Sequence, residues 1–124
     1  MTGEFGKFIE KKRKELGKTL RGFAAELDIA PAYMSDIEKG HRYPPDKEKL
    51  DVIADVLSLS KDESNLLYDL AAREKENSVS PDLPEYIMSN DKARVALRIA
   101  RDNGASEETW QKVIDLLESE DKKN

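Results

Sequence analysis

The sequence contains no cysteine and a single histidine, His41. Disulfides, thiolate zinc sites and thiol nucleophiles are thereby excluded, and any serine-histidine pair would have to be built on that one residue. Also lacking is any run near the roughly 18 to 20 apolar residues that a membrane span needs. The opening MTGEFGKFIEKKRK has no apolar block of the secretory kind. The expectation is a soluble, cytoplasmic protein with no membrane, metal or cofactor. No enzyme is expected, because without a thiol or a phosphate-binding loop only carboxylates are left for catalysis.

What is present is 38% hydrophobic and 38% charged residues in a chain of 124, enough for one small core under a heavily solvated surface. The formal charge of −5 is unfavourable to nucleic acid, but it is unevenly spread. Residues 1–44 carry 9 Lys+Arg against 7 Asp+Glu, and residues 45–124 carry 12 against 19. The acidity therefore belongs to the later part of the chain.

Apolar residues recur at helical spacing and nowhere alternate as in a strand, which predicts an all-α fold. Phe5, Phe8, Ile9 and Leu16 line one side of a first helix that stops at Leu16-Gly17. The run KKRK at 11–14 reads as its solvated side, apart from Arg13. Thr19 is placed to cap a second helix, Leu20 to Leu27, with Phe23, Ala24 and Leu27 inward. Pro31 suits the first turn of a third helix ending at Lys39-Gly40, with Met34 and Ile37 inward. Asp46 is placed to cap a fourth with Leu50, Ile53, Ala54 and Leu57, and Ser60 with Glu63 forms a capping box for a fifth holding Leu66, Leu67 and Leu70.

Residues 75–84, KENSVSPDLP, read as a linker. Beyond it, Asn90 caps a helix to Asp102, and Ser106 starts another carrying Trp110, Val113, Ile114 and Leu117. The tail from Glu120 to Asn124 is expected to fray. The predicted organisation is a five-helix domain over 1–74, a linker over 75–84 and a helical extension over 85–124.

Two short helices joined by a tight turn fit a major groove about 12 Å wide. Ala24 supplies the small contact such a pair needs, where bulk would force the helices apart. With Met34 and Ile37 inside, the third helix offers Tyr33, Ser35, Asp36 and Lys39 outward as candidate readers of DNA. A carboxylate at Asp36 can accept from cytosine N4.

Over residues 5–74 the sequence resembles the Cro/CI-type helix-turn-helix repressors, the XRE family. The family's S-x-I-E-x-G followed by a basic residue and proline is matched by Ser35, Ile37, Glu38, Gly40, Arg42 and Pro44. The resemblance implies a structural ion pair between Arg13 and Glu38. It implies double-stranded DNA as partner, with contacts from Thr19, Arg21, Ala32, Tyr33, Ser35, Asp36 and Lys39, and phosphate contacts from Arg42 and Tyr43 in the following loop. His41 falls in that loop too. The sequence departs from the family at Leu20, where glutamine is frequent, at Ala30 in place of a hydroxyl cap, at Asp28 in place of a turn glycine, and at Pro31-Ala32 in place of a polar pair.

The function expected is a sequence-specific transcriptional regulator, a dimeric repressor of a palindromic operator. The homodimer is expected because one helix-turn-helix makes few base contacts, while two place recognition helices about 34 Å apart on successive grooves. The apolar sides of the last two helices, Trp110 included, then pack against the domain or a second copy. The alternative is an antitoxin-like or protease-controlled regulator that works mainly through a protein partner of these C-terminal helices.

Overall fold

Helix α1 spans Glu4–Glu15 and buries Phe5, Ile9 and Arg13, spaced by four residues along one side. The computed structural model describes residues 1–121, so Lys122 to Asn124, the end of the tail expected to fray, lie outside the described residues. Among these there are eight helices and no strand, so the fold is all-α. Contacts divide the chain into two units, Met1–Pro84 and one that begins at Glu85.

In the first unit, α2 (Leu20–Glu26) starts at Thr19, whose hydroxyl accepts from the Gly22 N–H at 3.0 Å. Helix α3 (Pro31–Glu38) starts on Pro31, whose missing N–H costs nothing in a first turn. Asp46 caps α4 (Lys47–Val56) by accepting from the Lys49 N–H. Ser60 and Glu63 close a reciprocal capping box on α5 (Lys61–Arg73). The Glu63 carboxyl is held down to about 2 by its bonds from Lys12 and from the Ser60 backbone, and the first of these also ties α1 to the start of α5.

Phe5, Ile9, Phe23, Leu27, Met34, Ile37, Leu50, Ile53 and Leu67 are wholly buried and form one core with Ala24, Leu57 and Leu70. Phe8 and Ala54 pack against it while partly exposed. Two expected core positions are corrected. Leu16 is 47% exposed because the helix ends at Glu15 and Leu16 is already its C-cap. Leu66 is 40% exposed because its neighbour Leu67 takes the inward position, and adjacent helical residues point about 100° apart. Beyond α5, Glu74 turns back on the chain start, accepting from the Thr2 hydroxyl and the Gly3 N–H.

The second unit holds all but the first residue of α6 (Pro84–Met88), together with α7 (Asp91–Asn103) and α8 (Glu107–Asp121). The short α6 has no counterpart among the helices expected from the sequence. Asn90 caps α7 by accepting from the Ala93 N–H, and Gly104 ends it with φ 63. Ser106 accepts from the Thr109 N–H at the start of α8. Ala96, Ala100 and Ala105 line a cavity with Thr109, Trp110 and Val113, so the indole sits over small residues. Much of the apolar surface of these helices is nevertheless open: Val95, Ile99, Ile114 and Leu117 are all exposed.

Candidate nucleic-acid interface

The α2–α3 pair is set by its turn. Leu27 caps α2, the Asp28 N–H donates to Ala25 O, and the Ile29 N–H donates to Ala24 O at 3.0 Å. This double closure requires a left-handed residue between the two bonds, and Asp28 takes it with φ 56. Glycine is the usual choice there, but aspartate is among the few residues that tolerate that region. Lys49 reaches across from α4 to donate to Leu27 O at 2.7 Å, fixing the end of α2 from outside. At the crossing itself Ala24 is fully buried, which leaves no room for a larger side chain between α2 and α3.

Arg13 fixes the pair from the other side. Its Nε and Nη2 donate to the two Glu38 oxygens at 2.8 and 3.0 Å, while Nη1 donates to Lys18 O at 2.9 Å. One guanidinium thus joins α1, the entry to α2 and the end of α3. The hydrogen bonds to Glu38 hold the Arg13 proton more tightly than usual, so the guanidinium stays charged. Gly6 permits the closeness this requires, because a Cβ there would meet Glu38 O at 2.4 Å and Ile37 O at 2.5 Å.

With Met34, Ile37 and Glu38 turned inward, the rest of α3 faces out. Ala32 and Lys39 are exposed, and Tyr33, Ser35 and Asp36 are partly so. Thr19 and Arg21 are exposed at the start of α2, and the Thr19 hydroxyl serves there as the cap. The chain leaves α3 through Gly40, in the left-handed region at φ 77, with the Gly40 N–H on Ile37 O and the His41 N–H on Asp36 O. That turn folds the following loop back over the helix. The Arg42 guanidinium lies 4.7 Å from the Tyr33 ring centroid, and its Nε is 3.6 Å from Asp36 Oδ2. Tyr43, half exposed, has Lys75 Nζ 5.0 Å from its ring centroid. His41 is exposed.

Three of the residues assigned to DNA by resemblance, Tyr33, Asp36 and Arg42, are therefore brought into one cluster, and Thr19 with Arg21 forms a separate site at the other helix. Sequence reasoning missed Gly6, Lys49 and Lys75. A glycine inside an amphipathic helix was the available signal for the first. The two lysines gave none, since their partners are a distant carbonyl and a distant ring.

Residues 9–64 match the family described as helix-turn-helix. The matched segment, residues 9–64, is a helix-turn-helix of the Cro/CI type. That helix-turn-helix makes the chain a DNA-binding transcriptional regulator. No curated protein matches the sequence. Among solved structures the chain is similar to a SinR protein/SinI protein complex, at 22% identity over 95% of this chain and 98% of that one, with a TM-score of 0.46.

Proposed function

We propose that this helix-turn-helix protein is a dimeric repressor that binds a palindromic operator. The observation that carries the reading is the outward side of α3, where Ala32, Ser35, Asp36 and Lys39 lie outside the core and Tyr33 is only partly held by it, flanked by the exposed cations Arg21, Lys39 and Arg42. Thr19, Arg21, Lys39 and Tyr43 make the sequence-independent contacts to phosphate that fix register. Ala32, Tyr33, Ser35 and Asp36 face the base edges, with Arg42 beside them. The chain acts by binding, in the cytoplasm, with no cofactor.

The second unit supplies the two-fold contact. Helices of 13 and 15 residues with open apolar sides are marginal by themselves, and burial against a second copy stabilises them. The same exposed residues, Val95, Ile99, Ile114 and Leu117, also suit a different protein, which is the second reading: a regulator governed by capture of these helices.

Selection of bound sequences from a randomised duplex pool, alongside the mass of the free protein by sedimentation equilibrium, tests the proposal. Expected are a dimer mass and an enriched inverted repeat whose half-sites lie about 10 to 10.5 base pairs apart, or a multiple of it. A monomer mass with a single enriched half-site would favour the second reading, and no enrichment at low salt would remove DNA recognition altogether.

A further inference from the structure

The cluster on α3 bears on how the proposed operator is read, and its interpretation rests on the DNA-binding reading above. Tyr33 and Asp36 stand three residues apart and share one side of the helix. The Tyr33 ring is anchored, being partly buried against the core. The turn at Gly40 then carries Arg42 back over both residues, so that its guanidinium is stacked on the ring and its Nε edge faces the Asp36 carboxylate. Among the described residues no hydrogen bond occupies either Nη atom, and the Arg42 side chain is 54% exposed. A planar fork is thus held beside the recognition helix on a side chain more than half exposed, with neither Nη donor bonded among the described residues.

This placement argues for a base rather than a phosphate. Asp36 and Arg42 together carry no net charge, so the pair gains little from the field of the DNA backbone, and a lone Asp36 there would be repelled by it. A base edge demands no charge. It demands two donors in fixed geometry, and the N7 and O6 acceptors of guanine match a guanidinium fork in the major groove. Stacking on Tyr33 and the tether to Asp36 remove side-chain freedom that Arg42 would otherwise lose on binding. We infer that Arg42, stacked on Tyr33 and tethered by Asp36, reads a guanine in each half-site, and that Asp36 is a positioning residue for it.

The test repeats the duplex selection with the full-length protein and with Arg42→Ala, Asp36→Ala and the double variant. All three change exposed or half-exposed side chains and leave the core alone. The wild type should enrich a G·C pair at one position of each half-site. Arg42→Ala should lower the preference there by about 10- to 100-fold. Asp36→Ala should weaken the same position, and the double variant should be no worse at it than Arg42→Ala. Two results would overturn the inference while leaving DNA binding in place. In one, Arg42→Ala weakens all sequences alike and lowers the salt dependence by about one unit of slope, which places Arg42 on phosphate. In the other, Asp36→Ala alone alters the position and Arg42→Ala does not, which makes Asp36 a direct reader of cytosine. A wild type that enriches no sequence would overturn both the inference and the reading beneath it.

Discussion

Glu38→Ala should destabilise the protein by about 3 to 5 kcal/mol, the usual cost of stranding one member of a buried ion pair. The two side chains are 10% and 3% exposed, and their two-point contact leaves little access for water. Removing the carboxylate leaves the Arg13 guanidinium, among the described residues, with Lys18 O as its remaining acceptor. Replacing both partners with apolar side chains, Arg13→Met with Glu38→Leu, should cost less than the single change, since no charge is then stranded. The double variant still gives up the bond to Lys18 O and so should not reach the wild type. Urea unfolding of the wild type and these variants measures this. A Glu38→Ala cost below about 1 kcal/mol, the range of an exposed pair, would mean that the contact is solvated and does not brace the helices.

Gly6→Ala should be the second severe change, and its sign runs against helix propensity. In the first turn of α1, alanine in place of glycine would ordinarily gain up to about 1 kcal/mol. Here the added carbon would lie 2.4 Å from Glu38 O, 2.5 Å from Ile37 O and 2.8 Å from the Glu38 carbonyl carbon. All three are backbone atoms of α3, so no rotamer change relieves the clash and the helices must separate. Overpacking of this kind costs about 1 to 3 kcal/mol or more, which outweighs the propensity gain. Because the helix displaced is the recognition helix, operator affinity should fall as well. A lower urea midpoint with weaker binding is expected, and a raised midpoint would show that α1 and α3 are not packed through Gly6.

Much of the fold was legible because its punctuation is local. Thr19, Asp46, Ser60 and Asn90 each bond an N–H three residues ahead, and such spacing can be read from sequence without knowing the fold. The inner side of α3 was equally plain from Met34 and Ile37. Leu16 and Leu66 misled because hydrophobicity shows that a residue could be buried, and only the position of neighbouring helices decides whether it is. The pairing of Arg13 with Glu38 spans 25 residues and came from resemblance, not from spacing.

The site was legible as a set of residues but not as an arrangement. Resemblance marks Tyr33, Asp36 and Arg42 separately, and assigns Arg42 a phosphate. Their meeting depends on the left-handed turn at Gly40, which returns the loop over α3, and on a ring partly held by the core. Gly6 escaped notice for a similar reason. A glycine in a helix can mean a tolerated weakness or a place where another backbone comes close, and the difference lies in the partner helix.

The function proposed for this protein depends on the outer sides of α2 and α3 lying against a duplex. Titration of the isotope-labelled full-length protein with a duplex recovered from the selection, followed by amide chemical shifts at low salt, addresses this residue by residue. The largest changes are expected from Thr19 to Arg21, from Ala32 to Lys39 and at Arg42 and Tyr43. Changes confined to α7 and α8, or none at all with the duplex in excess, would contradict it.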